Sequence, residues 1–103
     1  MTSFSGRYSY TKANVQAYAP LSGGVYRLIY KKNGDYYVFY VGQSDNLQRR
    51  LLEHLSDSDK DVCIRRHLRD YDCFFRFIEI SSLDERVRKE QEEIKNYNPT
   101  CNG

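Results

Sequence analysis

The sequence predicts an α+β domain, with a small three-stranded antiparallel sheet flanked by helices in the order ββααβα. Three observations predict it. Two aromatic and β-branched runs, 25–31 and 36–41, bracket Asn33-Gly34, a strong hairpin signal. A third run of the same character follows at 73–80. The remaining segments carry apolar residues at helical spacing, bounded by capping residues.

Taken in order, residues 1–10 are polar and aromatic and read as an arm on the surface. Thr11 to Tyr18 reads as a short helix stopped by Pro20, and Leu21-Ser22-Gly23-Gly24 as a turn. The second hairpin run, Tyr36 to Val41, is apolar throughout, as expected of a strand covered on both faces. Its register has two solutions. A two-residue loop pairs Lys32 with Asp35 and sends Tyr26 and Tyr40 to opposite faces. A three-residue loop pairs Lys31 with Asp35 and sets Tyr26 opposite Tyr40 on one face. Ser44-Asp45-Asn46 offers an N-cap, with Gln48 as capping-box partner of Asp45. Leu47, Leu51 and Leu55 then give a helix over 46–56. A second short helix over 60–69 carries Arg65, Arg66 and Arg69. After the strand at 73–80, Ser82 caps a last helix, with Glu85 closing its capping box. Pro99 ends that helix after Tyr97.

A length of 103 residues corresponds to one domain. No apolar run approaches the roughly 18 residues of a membrane span, and the N-terminus lacks a signal-peptide core. A cytoplasmic location without a membrane partner is expected. The formal charge is only +2, too weak for a strongly electrostatic DNA binder. It is uneven, however: residues 1–56 hold 7 basic against 3 acidic side chains, and residues 57–103 hold 9 against 11. Ten Tyr and no Trp make tyrosine the unusual residue, suited to core, stacking or chemistry. Cys63, Cys73 and Cys101 are odd in number and lack a C-x-x-C pair, so buried thiols are expected rather than a disulfide framework. Cys63 and His67, four apart, could share a metal, but no second ligand pair has zinc-site spacing.

Two helices carry candidate chemistry. In the last one, Leu83, Val87, Ile94 and Tyr97 form a stripe whose missing member is Glu90. A carboxylate on a core-facing stripe is costly unless it is paired or binds a cation. Glu92 and Glu93 fall off this stripe. In the first clear helix, Arg50 and His54 lie on adjacent turns of one face. A guanidinium that can hold a phosphate beside an imidazole that can move a proton suits an anion site. Arg49 points elsewhere.

Gly24-Val25-Tyr26, Tyr40-Val41-Gly42, Asn46-Leu47-x-x-Arg50-Leu51-x-x-His54 and Glu90-x-x-x-Ile94-Lys95-x-x-x-Pro99-x-x-Asn102 occur in this order. The set resembles the GIY-YIG nuclease superfamily, and its last segment the excision-repair branch of that family. The resemblance spans about residues 22–103, implying one nuclease domain there, preceded by an arm and short helix over 1–21. It implies a metal-dependent DNA endonuclease using one divalent cation, Mg²⁺ or Mn²⁺, and no organic cofactor. Repair or structured DNA is the implied substrate class. Tyr26 and Tyr40 match the signature tyrosines, and the family registers favour the three-residue loop. Arg50 matches the phosphate-holding arginine, and His54 a position held by His or Tyr. Glu90 matches the single acidic metal ligand, and Asn102 the closing asparagine. Tyr26 is the implied general base, which requires nearby positive charge to lower its pKa.

Gly42, Gln43, Arg49, Arg65 and Arg66 are candidate substrate contacts. Gln43 stands where many family members have Lys. That departure, with the low net charge, keeps a catalytically weak or inactive nucleic-acid-binding module as the alternative. With Asn102 one residue from the end of the sequence, no fused targeting module is expected. Target choice would then fall to the arm and to the Arg65/Arg66/Arg69 helix. Oligomeric state is left open.

Overall fold

The computed structural model describes residues 3–56 and 60–103. The first two residues of the expected arm lie outside the described residues. Eight elements follow one another: β1 (Tyr8–Ser9), α1 (Lys12–Tyr18), β2 (Gly24–Lys32), β3 (Asp35–Ser44), α2 (Leu47–Leu55), α3 (Val62–Asp70), β4 (Asp72–Glu79) and α4 (Leu83–Tyr97). The four strands form one antiparallel sheet in the order β1-β4-β2-β3. The expected class and element order hold, with a strand added. The arm is not a loose cover: Tyr8 and Ser9 pair with Phe75 and Phe74, and Tyr10 is buried with its hydroxyl donating to Leu51 O at 2.6 Å. No helix among the described residues is long and apolar enough to cross a membrane.

Each helix starts on a side-chain cap. Thr11, Asn46, Asp61 and Ser82 accept from the backbone N–H groups of Asn14, Arg49, Ile64 and Glu85. The cap of α2 is therefore Asn46 rather than a box built on Asp45. The Gln48 amide instead donates to Ala19 O at 3.0 Å and ties α2 to the end of α1. Asn98, in the left-handed region at φ 45°, terminates α4 just before Pro99.

The hairpin corrects the expected register. Lys32 pairs with Asp35 across a two-residue turn, with Asn33 at φ 53° and Gly34 at φ 82°. Two left-handed residues match the twist of the flanking strands, so this turn is favoured over a three-residue loop. The signature tyrosines still share a face, because a bulge intervenes. Ile29 pairs with Val38 but Leu28 with Tyr40, leaving Phe39 extra. Phe39 and Tyr40 then pack on the same core, and Tyr26 lies opposite Gly42.

The sheet separates two layers. On one face, Tyr26, Leu28, Phe39 and Phe75 pack with Leu47, Leu51, Ile64, Val15 and Tyr10 beneath α1, α2 and α3. On the other, Val25, Val41 and Ile78 pack with Phe4, Val38, Ile80 and Ile94. The stripe expected on α4 is corrected here: Leu83, Val87 and Tyr97 are exposed, and the helix buries Arg86 and Glu93 instead. Glu93 lies only 3% exposed and is ion-paired with Arg27 of β2. The Arg27 guanidinium also lies 3.7 Å from the Phe4 ring centroid and 4.9 Å from that of Tyr97. The helix faces two inward arginines, because Arg27 and Arg76 are cross-strand partners. A buried carboxylate is the physical answer to that charge.

The cysteines give a further correction. Cys63 of α3 and Cys101 of the C-terminal segment form a disulfide with Cα atoms 5.5 Å apart. Cys73 is a free, half-buried thiol that burial pushes up to about 12. With the bonded pair 38 positions apart, spacing alone could not suggest the partnership.

Candidate active site at the open edge of the sheet

The site forms at β3, the edge strand, where the two layers meet. Four residues come from the α2 layer. Tyr26 projects from β2 and is almost fully buried, which is possible because Gly42 opposes it. A Cβ on Gly42 would fall 2.3 Å from the Tyr26 hydroxyl. The role of Gly42 is therefore steric: it lets the tyrosine ring lie flat against the strand. His54 faces inward from α2, at the i+7 position of the Leu47/Leu51 stripe, and is 1% exposed. Its Nε2 lies 2.7 Å from the Tyr26 hydroxyl. Arg50, one turn earlier, is about one-third exposed and reaches Glu53 at 3.4 Å. Tyr40 closes the group, with its ring centroid 6.1 Å from Tyr26 and 5.5 Å from His54.

Glu90 comes from the other layer. It is half-buried, and among the described residues no Lys or Arg is ion-paired with it. Burial raises its pKa, and the Gln43 backbone N–H pulls the other way. It acts electrostatically on Tyr40 from across the edge. A carboxylate that is desolvated, faces a phenol and lacks a cationic partner suits a hard divalent cation whose remaining ligands are water.

The tyrosines titrate opposite to the expectation. Burial, then the neighbouring Tyr40, pushes Tyr26 well above its ordinary value, and Arg50 only partly offsets this. Tyr40 is also raised, by burial first, with Asp61 and Glu90 adding to the effect. The charge needed to stabilise a phenolate near neutral pH is not supplied by Arg50 alone.

The outward-facing backbone groups of β3 are the groups an edge strand leaves open. Here the C-terminal segment takes them up in turn. Cys101 N–H donates to Phe39 O at 2.8 Å, and Asn102 Oδ1 accepts from Val41 N–H at 2.8 Å. Asn102 Nδ2 donates back to Val41 O, also at 2.8 Å. Next along the edge, the Gln43 N–H faces Glu90. Asn102 thus holds the residue beside Tyr40, and Glu90 lies in line with it.

Gln43 is engaged on its side chain too. Its Oε1 accepts from Arg86 Nε at 3.2 Å. The buried Arg86 guanidinium also donates to Ser81 O at 2.8 Å and Ile80 O at 3.2 Å. A cation therefore stands next to Gln43 although Gln43 is not itself cationic. Among the other expected contacts, Arg49 is exposed and pairs with Asp45 at 2.7 Å, away from the tyrosines. Arg65 and Arg66 line a cleft of about 520 Å³ between α2 and α3 that reaches His54.

Sequence reasoning missed Arg86 and Glu93. Their spacing with Glu90, i, i+4 and i+7, was a polar helical stripe running alongside the apolar one. Arg27 inside an otherwise apolar strand was the complementary signal.

Two comparisons place this fold among known proteins, and a third finds no match. The family model described as the GIY-YIG catalytic domain matches residues 22–102. A search of curated proteins finds no match. Among solved structures, the chain is similar to the GIY-YIG N-terminal endonuclease domain of UvrC from Thermotoga maritima bound to its catalytic divalent cation, magnesium. That match has a TM-score of 0.68 at 26% identity and covers 89% of this chain and 94% of the other. A tyrosine-to-phenylalanine variant of the same domain, bound to its catalytic divalent cation, gives a TM-score of 0.68 at 25% identity over 89% and 94%. An asparagine-to-alanine variant gives 0.66 at 26% identity over 87% and 91%.

Proposed function

The chain belongs to the GIY-YIG catalytic-domain family, and from that premise we propose that it is a divalent-metal-dependent endonuclease hydrolysing phosphodiester bonds of DNA. The observation that carries this reading is the convergence of Tyr26, Tyr40, Arg50, His54 and Glu90 on one edge strand, from both layers of the fold. Mg²⁺ or Mn²⁺ held by Glu90 supplies Lewis-acid charge to the phosphate when bound.

The remaining work falls to the chain itself. Arg50 binds the scissile phosphate and stabilises the charge that develops on it. Tyr26 enters as a neutral phenol, because burial raises its pKa. Its oxygen accepts the proton of the attacking water while its own proton passes to His54 Nε2, 2.7 Å away. The imidazole therefore acts with the proton on Nδ1 and Nε2 free. Tyr40 orients the water or the phosphate. Asn102 is a positioning residue that fixes Val41 and hence Tyr40. Gln43 and Arg86 position the Glu90 carboxylate through the Gln43 backbone. Arg65 and Arg66 bind backbone phosphates along the cleft beside His54.

The similarity to the UvrC endonuclease domain supports repair or structured DNA as the substrate class. The test is incubation with supercoiled, branched and flapped DNA in Mg²⁺, Mn²⁺ or EDTA. Nicking that needs metal and disappears in Glu90→Ala and Arg50→Ala is expected. Unchanged DNA binding with no cleavage of any substrate overturns the reading.

A further inference from the structure

Cys63, His67 and Cys101 form a second cluster of donors that the nuclease chemistry does not use. Their ligand atoms, two sulfurs and the imidazole Nδ1, lie within 4.8 Å of one another. Cys63 and His67 sit on adjacent turns of α3, and Cys101 arrives from the C-terminal segment held against Phe39. The two sulfurs are joined as a disulfide, which needs no imidazole beside it. Yet His67 is held there. Its ring stacks on Phe39 at 4.6 Å and 5°, with Tyr30 at 5.1 Å and Tyr71 at 5.7 Å. Its Nδ1 lies 3.6 Å from Cys101 Sγ and 2.9 Å from Cys63 O.

We propose that Cys63, His67 and Cys101 are a Zn²⁺ site when the cysteines are reduced, and that the disulfide is the oxidised, metal-free state of the same site. Two thiolates and an imidazole are a borderline-soft donor set of the kind zinc takes, with one tetrahedral position left over. At zinc–sulfur distances of about 2.3 Å, two tetrahedral sulfur ligands stand about 3.8 Å apart. Side-chain rotation of the two cysteines supplies that separation. Binding releases the two thiol protons and moves the neutral imidazole's proton from Nδ1, where it is shared with Cys63 O, to Nε2, so that Nδ1 bonds the metal instead. Oxidation runs through a low-molecular-weight disulfide. One cysteine thiolate attacks it and expels a small thiolate. The other then displaces the second small thiolate, forming the Cys63–Cys101 bond and releasing Zn²⁺. Both states fasten α3 to the segment carrying Asn102, so the site is coupled to the bonds that fix Val41 beside Tyr40.

The inference does not rest on the nuclease reading, and its test avoids nuclease activity. The 103-residue protein carrying Glu90→Gln, reduced and freed of metal, is titrated with Co²⁺ and then Zn²⁺. A thiolate-to-cobalt absorption that saturates at one equivalent and is displaced by Zn²⁺ is expected. Zn²⁺ should also shield two thiols from alkylation, read as a mass shift. The absorption should be lost in Cys101→Ser and weakened in His67→Ala, which keeps both thiols and serves if the serine variant fails to fold. A small-molecule disulfide should release the zinc and leave the protein two mass units lighter than its reduced form. No thiolate-to-cobalt band in the reduced wild-type cysteine background overturns the proposal, as does a band unchanged by His67→Ala.

Discussion

The two faces of the sheet are built on different physics. The face beneath α2 and α3 is apolar and aromatic, and its polar exceptions, Tyr26 and His54, answer each other at 2.7 Å. The face beneath α4 is thinly apolar. It is held by Arg27–Glu93 and by Arg86 on Gln43, Ile80 and Ser81. Burial of hydrocarbon is non-directional, so the first face can tolerate adjustment. Buried charge tolerates little, because removing one partner strands the other. The candidate site needs both: a desolvated wall to hold neutral phenols and a geometrically rigid helix to aim one carboxylate.

Breaking the polar face should have the largest effect. Glu93→Ala leaves Arg27 buried and uncompensated beside Arg76, so it is expected to cost about 3–5 kcal/mol. Chemical denaturation measures this. A loss below 1 kcal/mol would mean that α4 is not held by charge. On the apolar face, Arg50→Ala should lower the cleavage rate by about 10²–10³-fold, as removal of a transition-state donor does. Single-turnover nicking, with circular dichroism to show that α2 remains folded, separates chemistry from stability. Gly42→Ala comes next. Its Cβ meets the Tyr26 hydroxyl at 2.3 Å and must displace the ring, for about a 10²-fold loss of rate. Normal activity in that variant would remove Tyr26 from the proton path.

Smaller effects sharpen the comparison at the edge between the faces. Asn102→Ala exposes or orphans Val41 N–H and C=O, costing about 1–3 kcal/mol and raising B-factors or hydrogen exchange at Tyr40. The smallest effects are the titrations. Tyr26 and Tyr40 have raised pKa values in the folded state. Their contribution to stability is present below the ordinary tyrosine value of about 10 and is lost as pH rises above it, because the unfolded chain ionises first. Denaturation midpoints at pH 9 and above pH 10 test this, and Tyr26→Phe should flatten the fall. Glu90 has the same sign of shift, because burial disfavours its charged form and so works against folding wherever it is ionised. Glu90→Gln should therefore slightly raise the metal-free Tm. It should also abolish the stabilisation of about 2.7 kcal/mol that metal at 100 times its Kd gives the native protein.

Much of the fold is legible in the sequence, for local reasons. The caps of α1 and α4, the place of the Asn33-Gly34 turn and the Leu47/Leu51 stripe are decided by neighbours within a few residues, so the sequence displays them; the turn's length and the α2 cap it left open. Arg50 and His54 share a face by spacing alone. The periodicity that nominated Glu90 fails: the apolar stripe supposed to flank it is exposed at Leu83, Val87 and Tyr97. Its setting is a second stripe with Arg86 and Glu93, and a helical wheel cannot say which stripe faces in when the opposing strand carries Arg27.

By itself, then, the sequence determined the α+β element order, the position of the Asn33-Gly34 turn and the family motifs that nominate Tyr26, Tyr40, Arg50, His54, Glu90 and Asn102. Only the tertiary structure decided how they meet. The bulge at Phe39 brings both tyrosines to one face, the capped edge of β3 sets Asn102 and Glu90 in line, and Arg27–Glu93 and Cys63–Cys101 join residues 66 and 38 positions apart. Periodicity and propensity are short-range, whereas charge compensation, edge capping and thiol pairing depend on which strand and helix finally lie against each other.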